Sequence, residues 1–179
     1  MHKLIPVIFL VFISVHVRAQ SGLHEQYGQK LSNLFNKNVP EVKTTPEKPV
    51  AENLIEYAKT LIGIPYRYAS SNPKVGFDCS GFVSYVFKNF GMNVPRSSRE
   101  FTRSGTKTKL SEVKVGDVLL FTGSNPKVRK IGHVGIVYSV DESGVKFIHS
   151  SSGKAKGVTI TEMNPYYRSR FMQGVSILE

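Results

Sequence analysis

Three side chains in this sequence carry the chemistry of nucleophilic acyl transfer: Cys79, the only cysteine, and the histidines His133 and His149. A thiol attacks a carbonyl as the thiolate, so it needs a base, and the base needs a partner that fixes its orientation. Cys79 lies in GFDCSGFVSYVFKNFG, where an acidic turn runs into an apolar-striped stretch. The pattern predicts a helix with Asp78 as N-cap, Cys79 as first helical residue and Gly91 as the C′ stop. Phe82, Val83, Val86, Phe87 and Phe90 form its buried stripe. A thiol at the positive end of a helix has its pKa lowered, while a carboxylate at Asp78 acts the other way. A cationic partner for the sulfur is therefore expected.

The candidates for that partner are few. His2 and His16 fall in the N-terminal leader and His24 in the segment after it, which leaves His133 and His149. In GHVGIVYSV, alternation puts His133, Gly135 and Val137 on one strand face; in VKFIHS it puts Val145, Phe147 and His149 on one face. DESG, residues 141–144, reads as the turn of a hairpin joining them. A register centred near residue 142 sets His149 opposite Gly135 and diagonal to His133, and a slip of one residue separates the histidines. Gly135 is expected to leave room for the helix that carries Cys79. Either histidine alone is as readily structural as functional; the lone thiol at a helix start together with two histidines on one face is what points to chemistry. In that reading His133 holds the thiolate as an ion pair and later protonates the leaving amine, and His149 accepts a hydrogen bond from the other ring nitrogen. Zinc held by the cysteine and both histidines is the rival, disfavoured because no two of them form a short ligand pair. No cofactor is expected.

The compartment makes the unpaired thiol informative. MHKLIPVIFLVFISVHVRAQ has a charged start, an apolar run from Leu4 to Ile13 and a small-residue site at Val17-Arg18-Ala19, the pattern of a cleaved export signal. The apolar run is too short for a membrane span. Residues 1–19 are thus expected to be removed, delivering the chain to the periplasm or the extracellular space, where structural cysteines pair in even numbers. The formal charge of +11 becomes +9 once Lys3 and Arg18 leave. These charges are scattered and no nucleic-acid motif accompanies them, so no nucleic acid is expected; attraction to an anionic envelope surface is the fitting use.

The remaining segments supply the elements that must position the site. Residues 20–50 read as a short helix and then a proline- and charge-rich linker. The catalytic domain is assigned to 51–179. AENLIEYAKTLI, 51–62, predicts an amphipathic helix with Leu54, Ile55, Ala58, Leu61 and Ile62 on its buried face, ended by Gly63. SSREFTR predicts a further short helix, and GDVLLF, HVGIVYSV, VKFIHS, VTIT and FMQGVSIL predict strands. Helices followed by antiparallel strands give an α+β fold.

FDCSGFVSYVF, GDVLLF, GHVGIVY and FIHSSS, in that order, resemble the signature blocks of the NlpC-type cysteine peptidases of bacterial cell walls, and the resemblance runs from about Ala51 to Leu178. It implies a papain-like α+β fold, with N-terminal helices packed on an antiparallel sheet or partly open barrel. It implies an enzyme that hydrolyses peptidoglycan stem peptides between D-glutamate, through its γ-carboxyl, and the diamino acid; a monomer is expected. Carried over, Cys79 is the nucleophile, His133 the base and His149 the third member. Tyr66 matches a tyrosine that serves the oxyanion site, and Asp78 and Ser80 match residues that hold substrate amine and carbonyl groups. On that basis Asp78 is expected to pair with the free ammonium of a stem-peptide alanine. The chain departs from many relatives at Ala69 and Ser70, where they carry Gly-Gly. The insertion GSNPKVRKI, 123–131, is expected to bring Lys127, Arg129 and Lys130 near the active-site rim as a solvated loop. An amidase or acyltransferase using the same thiol, or an inactive wall-binding module, remain the alternatives.

Overall fold

The computed structural model describes residues 49–178, all within one compact unit, Glu47–Glu179. The expected signal, short helix and nearly all of the linker lie outside the described residues.

The first helix, α1 (Val50–Lys59), buries Leu54, Ile55 and Ala58 as its apolar spacing requires. It stops three residues earlier than expected, at a Thr60 cap. Leu61 is buried beyond the helix end, but Ile62 is 47% exposed and lies outside the core, because the rotation per residue that would have carried it inward has ended. A short ribbon of β1 (Ser71–Asn72) and β2 (Gly76–Phe77) then leads into α2 (Cys79–Asn89). Here the local chemistry is as the residues dictate. Asp78, in extended conformation, accepts the Gly81 amide and caps the helix, and Gly91 takes φ +75 at the stop, a left-handed value that a side chain would disfavour. Phe82, Val83, Val86 and Phe87 are fully buried, while Phe90 packs at the edge. The expected helix in SSREFTR is one 3-10 turn, Glu100–Arg103, that plants Phe101 in the core.

A six-stranded sheet follows in the order β3-β8-β4-β5-β6-β7, every neighbouring pair antiparallel. Its strands are β3 (Thr106–Thr108), β4 (Val118–Thr122), β5 (Ile131–Asp141), β6 (Gly144–Ser151), β7 (Gly157–Glu162) and β8 (Phe171–Ser176). The sheet has two edges, so the architecture is an open sheet. A short helix, α3 (Pro165–Arg170), enters β8; Asn164 caps it and Pro165 opens it.

Two apolar clusters sandwich the sheet, and strand alternation divides the residues between them. Val118 and Leu120 of β4, Val134 and Ile136 of β5 and Ile148 of β6 meet the stripe of α2 and the face of α1. Leu119, Phe121, Val137 and Phe147 meet Val113, Met163 and Tyr167 on the other side. Among the described residues six phenylalanines are fully buried, each contributing about 2–3 kcal/mol by removal from water, which gives the site rigid walls.

Register near the site is as the alternation requires: Ile136 pairs with Ile148 and Val137 with Phe147. At the tip, however, Val140 pairs with Val145 and Asp141 with Gly144, one step out of phase. A bulge between Val137 and Ser139 takes up the difference.

Candidate active site

Cys79 occupies the first turn of α2, where backbone amides have no helical partner. Its sulfur is a partner of its own amide, of the Ser80 amide and of the Val134 amide. The last of these belongs to the residue after His133, so α2 and β5 meet at the thiol. Cys79, Gly132 and His133 line one cleft with Tyr66. These three amides favour the thiolate, yet the thiol pKa stands above its ordinary value, first because burial penalises the charge and second because Asp78 is close. The helix start was expected to depress it; desolvation outweighs the amides.

The histidines stand on the face opposite α2, with Phe121 and Phe147. His133 Nε2 lies 2.8 Å from His149 Nδ1, with the rings 4.9 Å apart and nearly perpendicular. This leaves Nδ1 of His133 for the thiol side. His149 is fully buried, and its second nitrogen, Nε2, is 2.9 Å from the Thr161 hydroxyl. Gly135 serves this pair rather than the helix: an added Cβ there would come within 2.8 Å of the Phe147 ring and 3.1 Å of the His149 Cβ. The expected clearance for α2 is thus corrected, since it is the hairpin partner that needs the space.

Burial, above all, pushes the His133 pKa well below the ordinary value, aided by His149 and Arg170. Burial and then Arg170 push His149 to about 3. With the thiol raised and His133 lowered, both directions favour a neutral thiol beside a neutral imidazole. Both shifts thus run against the expected standing ion pair. A stability consequence follows. In the unfolded chain histidine titrates near 6.5, so between about pH 6.5 and 3 the unfolded state binds a proton that folded His149 refuses. Stability is complete above that window and falls as pH drops, by about 2 kcal/mol at pH 5 from His149 alone. Thermal midpoints measured from about pH 7 to 5 should decline, and His149→Gln should flatten the slope; an unchanged slope would count against burial of a neutral ring.

Asp78 is almost wholly buried and its oxygens are taken. Oδ2 accepts Arg96 Nη2 at 2.6 Å and Oδ1 accepts Arg96 Nη1 at 2.9 Å, while Oδ1 also accepts the Gly81 amide at 2.7 Å. Ser80 Oγ lies 3.3 Å from Oδ1 and 3.1 Å from Arg96 Nη1. Sequence reasoning missed Arg96, having weighed only histidines as cations, although the need for a charge to offset Asp78 was evident. Its guanidinium side chain is 44% exposed, and it lines a second cleft with Tyr66, Asp78, Cys79 and Ser80. Tyr66 and Cys79 are common to both clefts. The Tyr66 phenol is raised by burial and by the neighbouring Cys79 and Asp78, so it stays protonated as a donor. All six site residues read from the sequence are therefore grouped here.

Two further contributors come from α3. Tyr167 packs edge-on against His149, with ring centres 5.6 Å apart. Arg170 is buried, donates to the carbonyls of Thr122 and Gly123 and to the Tyr166 hydroxyl, and lines the His133 cleft. The Asn-Pro pair at 164–165, a cap followed by an N1 proline, was the available signal for this helix. In the insertion, Gly123 and Ser124 line that cleft, whereas Lys127, Arg129 and Lys130 do not; Arg129 instead holds the carbonyls of Ser169 and Phe171. Among the described residues no three His, Cys, Asp or Glu side chains are placed to hold a metal ion, and both nitrogens of His149 are already engaged.

The profile of the NlpC/P60 family matches residues 63–176. The chain belongs to the NlpC/P60 family. Its fold is accordingly papain-like α+β with an open sheet. Over 130 residues it is 34% identical to the gamma-DL-glutamyl hydrolase of Bacillus subtilis, covering 71% of this chain and 29% of that protein. It is 36% identical over 119 residues to the murein DD-endopeptidase MepS/murein LD-carboxypeptidase of Escherichia coli, covering 65% and 57%. Thus the match spans less than two thirds of either relative. A crystal structure of an NlpC/P60 family protein from Bacillus cereus superposes with a TM-score of 0.63 at 29% identity, covering 73% of this chain and 41% of that one.

Proposed function

We propose that this NlpC/P60 chain is an exported cysteine endopeptidase that cuts the bond between γ-D-glutamate and the diamino acid of peptidoglycan stem peptides. The observation that carries the reading is the intact constellation: Cys79 and His133 line one cleft, His133 is bonded to His149, and Tyr66 stands beside the thiol. An inactive binding module has no use for such an arrangement. His133 takes the thiol proton as sulfur attacks the carbonyl. The oxyanion is met by the Tyr66 phenol and helix-start amides, and His133 returns the proton to the leaving amine.

The relatives differ in the bond that their names give, glutamyl in one case and DD or LD in the other. Arg96 favours the first. The acyl residue of a γ-D-glutamyl bond carries a free α-carboxylate, whereas that of a D-alanyl bond carries only a methyl group. The exposed edge of the Arg96 guanidinium lies on the cleft opposite His133 and suits a carboxylate. Because Arg96 already neutralises Asp78, the expected pairing of Asp78 with a substrate ammonium loses its electrostatic reason; Asp78 acts on substrate through Arg96, with Ser80 steadying both. The test is mass spectrometry of fragments from a free stem tripeptide and tetrapeptide, from a cross-linked dimer of stem peptides, and from a muropeptide whose alanine amine is bonded to the lactyl group. Release of L-alanyl-D-glutamate is expected, with loss of that activity in Arg96→Met. Release of D-alanine or cleavage of cross-links instead would transfer the enzyme to the DD or LD class, and release of the intact stem peptide from the muropeptide to the amidases.

A further inference from the structure

We propose that Thr161, on β7, is a positioning residue that sets which nitrogen of His133 is free to take the thiol proton. The inference rests on the reading of His133 as base. It comes from a hydrogen-bonded chain with a single oxygen at its end: Thr161 Oγ1 lies 2.9 Å from His149 Nε2, and His149 Nδ1 lies 2.8 Å from His133 Nε2. Thr159 is the register partner of His149, but its hydroxyl points to the Ile160 carbonyl at 3.4 Å. Thr161, opposite Phe147 and diagonal to His149, makes the contact instead.

Each neutral histidine has one N–H, so the chain has two proton arrangements. In the first, Thr161 accepts from Nε2–H of His149, Nδ1 of His149 accepts from Nε2–H of His133, and Nδ1 of His133 is bare. In the second, every bond is reversed and His133 carries its hydrogen on Nδ1. Only the first leaves a lone pair for the thiol, and only the first lets an imidazolium at His133 donate onward to His149. The end group decides between them. His149 is fully buried, so an Nε2–H without an acceptor is costly. Thr161 is only partly buried, so its hydroxyl can turn its own hydrogen toward solvent and keep a lone pair on His149. A histidine third member has no negative charge with which to enforce the orientation, and the terminal hydroxyl makes up that deficit. Remove it, and the second arrangement, with bare Nε2 on His149, becomes the lower one.

The test uses the mature protein labelled with 15N-histidine. Nitrogen chemical shifts distinguish Nδ1–H from Nε2–H tautomers, and the rate of Cys79 alkylation by iodoacetamide reports proton removal without any assumption about the peptide bond cut. Thr161→Val, which keeps the shape of the side chain, should move His149 to the Nδ1–H tautomer and slow alkylation by about ten- to a hundredfold. Thr161→Ser should restore both readouts to near wild type. If the valine chain fails to fold, Thr161→Ala is read the same way. Alkylation within about twofold of wild type, or an unchanged His149 tautomer, would overturn the assignment. Wild-type protein that releases no L-alanyl-D-glutamate, while Thr161→Val still shifts the tautomer and slows alkylation, would defeat the choice of bond and leave this inference standing. If His133→Ala alkylates as fast as wild type, it is the base itself that is misassigned.

Discussion

Cys79→Ser should lower peptidoglycan hydrolysis by about four orders of magnitude or more, while its thermal midpoint stays within about 3 °C of wild type. The serine hydroxyl can take the place of the thiol against the three amides, so the fold loses little. Activity is lost because a hydroxyl ionises far less readily than a thiol, and this site already penalises a thiolate by burial and by Asp78. His133, its pKa lowered by burial, is a weak base, and an alcohol proton is harder for it to remove than a thiol proton. Because Cys79 is the only cysteine, one equivalent of alkylating reagent should give the same loss. Turbidity clearing of purified peptidoglycan and intact mass measure both. A serine variant with wild-type turnover would remove Cys79 from the mechanism.

The second large effect belongs to the histidines and is graded by position. His133→Ala should lose a factor of about a hundred to ten thousand in kcat, since the proton then has no acceptor and the leaving amine no donor. His149→Ala should lose about ten- to a hundredfold, the scale of an orienting group. His149→Gln should lose less, because its amide oxygen can still accept from Nε2–H of His133. The loss should fall in kcat and leave KM nearly unchanged. Equal losses for alanine and glutamine at position 149 would mean that the ring fills space rather than orients, and one equivalent of zinc in the purified protein would return the site to the metal reading.

Much of this site was legible because its signals are local. Asp78, Cys79 and Gly91 fix the ends of α2 by rules that act over four residues, and the alternation around His133 and His149 reports a common face whatever the sheet does elsewhere. What the sequence concealed was tertiary. Arg96 reaches Asp78 across 18 positions, and nothing in its neighbourhood marks it as a partner for a buried carboxylate. Thr161 is one of two threonines with the same strand phase, and only side-chain direction tells which one touches His149. The short β3 lacks an apolar pattern because Thr106 and Lys107 are exposed and only Thr108 is half-buried. Of the effects on the thiol, the helix terminus and Asp78 are visible in the sequence and the depth of burial, the largest of them, is not. Ala69 stands at φ +57, a left-handed alanine in the loop that lines the Arg96 cleft.

The bulge between Val137 and Ser139 has a consequence for how such an enzyme can change. A two-residue turn at Glu142 and Ser143, continued as a regular ladder, would set His149 opposite Ile136 and turn it away from His133. The extra residue restores the phase, so catalysis here depends on whether the count of residues between the histidines is odd or even as laid against the partner strand. Changes of length in this hairpin are therefore tolerated only in compensating pairs, turn with bulge. One uncompensated insertion would leave every catalytic residue present in the gene, yet it would exchange the faces of Phe147 and Ile148 along with that of His149, so the site and the packing on both sides of the sheet would be lost together.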